Sequence, residues 1–142
     1  MAAKGKDNKA LVAELNKALG WELRAQAMYA HYAAYVKGLE SMTLQGHFEE
    51  EAKESFVHAA KVRNIIAELG AEATTNRDTA PIAHTTSTKR MLEEALKTEK
   101  SAAAQYEKIL ALCEHPVHRH DLVHIMMDEL RAVVEVETLL GR

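Results

Sequence analysis

EEEAKESFVHAAKVRNIIAELG, residues 49–70, reads as one helix that carries a carboxylate and an imidazole into an apolar interior. His58, Val62, Ile65 and Leu69 recur at spacings of four and three, the stripe a helix turns toward a core. Glu54 stands one turn before His58, so both side chains leave the same side of the helix. Burying such a pair is costly unless something compensates the charge. The remaining chain supplies candidates, because three further helical segments each carry one glutamate on an apolar stripe.

Working outward, the bulk properties set the class. A chain of 142 residues forms a single domain with a real core. Ala, Leu, Glu and Lys dominate, there are only 2 Pro and 6 Gly, and no β-branched alternating run occurs, which predicts an all-α fold. A formal net charge of -3 gives no general attraction to nucleic acid. The single cysteine, Cys113, has no partner for an internal disulfide. No apolar run is long enough for a membrane span, and MAAKGKDNKA at the start lacks the hydrophobic core of a signal peptide. The expectation is a soluble, cytoplasmic protein.

Four long helices are predicted. The first runs from about Asn8 to Val36 with Leu15, Leu19, Glu22, Gln26, Tyr29, Ala33 and Val36 inward, behind a flexible tail over residues 1–8. Gly38 ends it, and a short link through Ser41 and Thr43 leads to the second helix, which stops at Gly70. Residues 71–88 form a crossover without a periodic stripe. Thr86 or Ser87 is the expected N-cap of the third helix, about Thr88 to Glu114, whose stripe includes Leu92, Leu96, Glu99, Tyr106 and Cys113. Pro116 breaks the chain, and the fourth helix follows to Leu140 with Leu122, Ile125, Glu129, Ala132, Val136 and Leu139 inward. Short links after the first and third helices make two antiparallel hairpins, and the long crossover places the third helix parallel to the second.

Height along the bundle then brings the polar residues together. Glu22 and His58 lie at similar distances from the first hairpin turn, and Glu99 and Glu129 at similar distances from the second. With a rise of about 1.5 Å per residue, each pair comes within about a turn of level. Inward carboxylates crowded near mid-bundle hold either protons or cations, and oxygen ligands with one imidazole suit a pair of first-row ions such as iron or manganese.

At these residues the chain resembles the ferritin-like superfamily, most closely bacterioferritins and Dps-type ferritins. LVAELNKALGWELRAQAMYAHYA resembles the first helix of bacterioferritins, MLEEALKTE the third up to its ligand glutamate, HIMMDELRAVVEVETLL the fourth, and FVHAAKVRNIIAELG the HA-to-LG stretch both groups share. The resemblance spans about residues 11–140 and implies a ferritin-like four-helix bundle with one long crossover between the second and third helices. It implies that Glu22, Glu99, Glu129 and His58 are ligands to two iron ions per subunit, with Tyr29 beside the metals as hydrogen-bond donor or electron source. Two positions depart from the pattern. The second helix should carry Glu-x-x-His, but Ser55 stands three before His58, leaving Glu54 either as the bridging ligand or as a carboxylate facing a mineral cavity. The fourth helix has Ala132 where a second histidine belongs, a gap animal-type ferritins share.

The same resemblance implies no haem, since the axial methionine falls at Phe56, and no Dps-type intersubunit site, since its ligand positions fall at Ala33, Ala60 and Asn64. Cys113, His115, His118, His120, Asp121 and His124 crowd the last hairpin turn, as solvated surface residues or as a metal-transit cluster. Lys4, Lys6 and Lys9 give a weak DNA-binding signal, so DNA is not an expected partner. The implied function is oxidation of ferrous iron by dioxygen or peroxide, with storage or detoxification in a homo-oligomeric cage. A Dps-like structural assembly with a degenerate centre is the alternative. A twelve-subunit shell is expected first and a smaller dimer-based assembly second, because no fifth helix follows Leu140. Trp21 is expected as an exposed interface anchor.

Overall fold

The computed structural model describes the backbone of residues 3–142 and the side chains of residues 8–142. It contains four helices and, among the described residues, no strand: α1 (Ala3–Tyr35), α2 (Ser41–Glu68), α3 (Thr88–Leu112) and α4 (Pro116–Leu139). The helix boundaries fall within a few residues of the sequence expectation, except that α1 begins at Ala3 rather than near Asn8. The side chains of residues 1–7, with Lys4 and Lys6 of the lysine tail, lie outside the described residues.

Each terminus has a local cause. Gly70 takes φ +75°, a left-handed conformation that glycine adopts without steric cost, and closes α2. Ser87 is the N-cap of α3, its hydroxyl accepting from the Arg90 amide at 3.2 Å, which contributes about 1 kcal/mol. Pro116 opens α4 at the position where its missing N–H costs nothing.

Cross-helix contacts fix the topology. Glu68 meets His118, and His58 meets Asp128, so residue numbers fall along α2 as they rise along α4 and the two run antiparallel. Gln105 reaches Glu14 while Glu99 reaches Tyr29, which makes α1 and α3 antiparallel too. The crossover climbs alongside α1: Thr74 bonds to Asn16, Asp78 to Gly20, Ala80 and Pro81 to Arg24, and Ala83 to Tyr32. Its Asp78 amide donates to the Gly20 carbonyl at 2.9 Å, and a Cβ at Gly20 would lie 3.3 Å from that same nitrogen. The buried Arg24 guanidinium donates to two crossover carbonyls and to Thr98 of α3, clamping an irregular strap that has no ladder of its own. Trp21 is not a freely exposed anchor. It is partly buried, with the Arg24 guanidinium 5.3 Å above its ring.

The interior is two apolar clusters with a polar layer between them. One holds Leu11, Leu15, Leu19, Val62, Ile65, Ile66, Ile109, Leu122 and Ile125. The other holds Met28, Tyr32, Val36, Leu44, Phe48, Met91, Leu92, Leu96 and Val136. The glutamates and His58 occupy the layer where the two clusters meet, shielded from water at both ends. Among the described residues, no helix is long and apolar enough to cross a membrane.

Candidate metal centre

Four helices each deliver one charged or imidazole side chain to the polar layer. Glu22 and Glu99 are 2 % exposed, and His58 and Glu129 are 3 % exposed. Ligand atoms of Glu22, His58 and Glu129 all lie within 4.8 Å of one another. His58 Nδ1 stands 3.0 Å from Glu129 Oε1 and 3.5 Å from Glu22 Oε2. Its Nε2 faces outward to Asp128 Oδ2 at 3.0 Å.

Two tyrosines position two of the carboxylates. Tyr29 of α1 donates to Glu99 of α3 at 2.7 Å, and Tyr106 of α3 donates to Glu22 of α1 at 2.6 Å. Each tyrosine follows its own helix's glutamate by seven residues, so the two bonds cross between the helices as near two-fold equivalents. Burial raises both phenols well above the ordinary tyrosine range, and the neighbouring glutamates raise them further, so both remain neutral donors.

Protonation shows how the layer tolerates its charge. Burial, then the Glu22 charge, pushes Glu129 well above the usual carboxylate range. Burial raises Glu99 as well, opposed by its hydrogen bonds to Glu129 and Tyr29. Burial by itself would lower His58, but the hydrogen bond and charge of Glu22, with Asp128 and Glu54, outweigh it and lift the imidazole to about 9. Protons on Glu129 and His58 therefore reduce the negative charge of the layer. A cation bound there displaces those protons and meets three convergent donors, two oxygens and an imidazole nitrogen, which suit a first-row divalent ion.

Of the residues the sequence singled out, Glu22, His58 and Glu129 come together directly. Glu99 joins through Tyr29 and Glu129. Glu54 stands apart from that group: it is half-buried and clusters with His58 and Asp128 on the Nε2 side of the ring. Ser55, three residues before His58 on α2, is buried. Phe56 is exposed on α2. Three residues at or beside the centre were not among the site candidates of the sequence. Tyr106 was recognisable, because it repeats the seven-residue spacing of Glu22 to Tyr29. Glu51, seven before His58 and so on the same face, was equally legible; burial, then the charges of Glu99, Glu54 and Glu135, raises it to about 8. Asp128 carried no separate signal beside Glu129.

The histidines of the last turn split into separate contacts. His118 is buried and pairs with Glu68 at 2.8 Å, and its ring lies 4.4 Å from that of His115. His120 and His124 pair with each other, and Cys113 is buried, its thiol pushed up by that burial. Among the described residues, no group close enough to hold an ion includes any of these side chains.

Comparison with known proteins agrees with this architecture. The family model described as Ferritin, a ferritin-like domain, matches residues 12–142. A solved structure of a ferritin-like, diiron-carboxylate protein from Bacillus anthracis str. Ames superposes with a TM-score of 0.86 at 29 % identity, covering 96 % of this chain and 99 % of that one. A dodecameric thioferritin, the bacterioferritin-related protein of Bacteroides fragilis, superposes with a TM-score of 0.86 at 24 % identity, covering 94 % and 85 % of the two chains. Among curated proteins, nothing matches the sequence.

Proposed function

This chain belongs to the ferritin-like domain family, and on that premise we propose that it oxidises ferrous iron and sequesters the ferric product. The observation that carries this reading is the convergence of Glu22, His58 and Glu129 within a buried layer walled by apolar clusters. Ferrous iron is the substrate, two ions per subunit. One takes the compact Glu22–His58–Glu129 position. The other takes a looser position toward Glu99, away from the side on which Glu54 stands. Each ion gives up one electron, so two ions reduce one peroxide to water with uptake of two protons, or four reduce one dioxygen.

The chain's own groups set the conditions for that transfer. Tyr106 and Tyr29 hold Glu22 and Glu99 in fixed orientations, so little reorganisation accompanies ion arrival. Tyr29 also stands as the residue able to lend an electron. Glu129 and His58 release protons as the ions bind. The dodecameric assembly of the Bacteroides fragilis relative supports a homo-oligomeric shell, twelve subunits first and a dimer-based assembly second, in which ferric product collects.

A second reading has its own observation. Ser55 and Ala132 leave the centre without two donors that ferritin-like di-iron sites ordinarily possess, which favours a structural assembly that no longer oxidises iron quickly. Rapid-mixing measurement of ferrous oxidation in the parent, Glu22→Ala and His58→Ala proteins separates the two. We expect fast oxidation in the parent and its loss in both variants, with the assembled mass unchanged. A parent protein no faster than the variants would support the structural reading, and a particle near the monomer mass of 15.8 kDa would remove the storage function.

A further inference from the structure

About two helical turns from His58 toward the start of α2, a second group of ligating side chains gathers on the α2–α4 seam. His47 and Glu51 stand four apart on α2, one above the other, and Glu135 faces them from α4. One ligand atom from each lies within 4.8 Å of the other two. The antiparallel register accounts for the meeting. Residues of α2 and α4 whose numbers total about 186 stand opposite, as Glu68 and His118 or His58 and Asp128 do, and Glu51 with Glu135 continues the series.

The imidazole has bonding capacity that the protein leaves unused. His47 Nδ1 lies 3.3 Å from Glu135 Oε1, while Nε2 is buried without a hydrogen-bond partner among the described side chains. A neutral imidazole has one N–H and one lone pair. If Nδ1 carries the proton, the buried Nε2 lone pair meets no donor. If Nε2 carries it, the Nδ1 lone pair faces a carboxylate with nothing between them. The His47 ring is also packed against Phe48, with ring centroids 5.6 Å apart, which restricts its freedom to turn away. Glu51 is partly buried and close enough to Glu99 of the buried centre to feel its charge. A structural ion pair would need only one carboxylate, whereas both Glu51 and Glu135 converge on the imidazole.

We propose that His47, Glu51 and Glu135 form a second divalent-cation site, holding one first-row ion per chain and opening toward solvent past Glu135. It shares no ligand with the Glu22–His58–Glu129 group and does not depend on that group's reaction. One imidazole and two carboxylates suit zinc, ferrous iron, cobalt or manganese, and leave room for water ligands. The half-exposed Glu135 side chain gives an ion direct access, whereas the mid-bundle layer is closed.

Zinc uptake by the full-length protein tests this, using equilibrium dialysis and calorimetry on the parent, His47→Ala, Glu135→Gln and His58→Ala proteins. We expect His47→Ala to bind one zinc fewer per chain than the parent. Glu135→Gln should weaken the same ion at least about tenfold, the lower end of what even a supporting partner contributes. His58→Ala should keep this ion while losing one from the buried centre. Should His47→Ala fail to fold, Glu135→Gln decides the matter, since its side chain is half exposed and the change is isosteric. Equal zinc uptake and affinity in the parent and Glu135→Gln proteins overturns the proposal. Loss of the same single ion in His47→Ala and His58→Ala also overturns it, because the cluster would then be an extension of the buried centre.

Discussion

The α1–α3 pair and the α2–α4 pair enter the same polar layer with opposite degrees of symmetry. On α1 and α3 the pattern is duplicated: each has a glutamate followed seven residues later by a tyrosine, and each tyrosine bonds to the other helix's glutamate. On α2 and α4 it is divided. α2 retains the histidine of a Glu-x-x-His pair with Ser55 in place of the carboxylate, and α4 retains the carboxylate with Ala132 in place of the histidine. Between them they amount to one complete pair, and His58 Nδ1 to Glu129 Oε1 at 3.0 Å is where the halves meet. The duplicated half orients carboxylates and can do so without a bound ion. The divided half sets how many donors an ion finds, and it leaves the centre lopsided.

The largest expected effect comes from filling both gaps at once. Ser55→Glu with Ala132→His restores a Glu-x-x-His pair on each helix, and should strengthen binding of the second, looser ion by at least about 100-fold, measured by calorimetry with zinc. Both positions are buried, so the metal-free variant should lose about 1–3 kcal/mol to overpacking and recover stability when metal is added. Unchanged affinity for the second ion would mean that lopsidedness does not limit the site.

A smaller effect probes the duplicated half. Tyr29→Phe and Tyr106→Phe each remove one hydrogen bond to a ligand carboxylate and should each lower metal affinity by roughly tenfold. The comparison stands on their similarity. If one variant binds like the parent while the other loses its ion, the cross-paired tyrosines are not equivalent. A loss of oxidation rate confined to Tyr29→Phe, with equal affinities, would isolate an electron-donating role for that residue.

The smallest effect is the response of the metal-free protein to pH. Folding raises Glu51 from 4.5 to about 8 and His58 from 6.5 to about 9. In both cases the folded state holds a proton that the unfolded chain releases, so stability falls as pH rises. Glu51 contributes to that fall between about pH 4.5 and 8. The His58 ion pairs are fully present below about 6.5 and are lost as pH rises through about 9. Thermal melts should therefore drop by several degrees between pH 5 and pH 9, and saturating zinc should flatten the slope by replacing protons with a cation. A melting temperature that rises over this range would contradict the protonation pattern drawn for the layer.

Much of this was legible in the sequence because helical order is local. The apolar spacing gave the four helices, Gly70, Ser87 and Pro116 marked ends, and the one long link among short ones implied the topology. Glu22, His58 and Glu129 could be set at one height because rise per residue is nearly constant. What a single sequence could not decide was rotation. Seven residues fall about 20° short of two turns and four residues run about 40° past one, so Glu51 and Glu54 lie on opposite sides of the His58 line. Which of them enters the layer depends on where the neighbouring helices stand. The packing sets Asp128 of α4 on the Glu54 side, where it meets the outer nitrogen of His58, and turns Glu51 toward Glu99 and Glu135. The sequence by itself determined which residues share a helix face. Only the tertiary structure decided which faces meet and at what register, because contacts of about 3 Å depend on helix rotations and offsets that no local periodicity encodes.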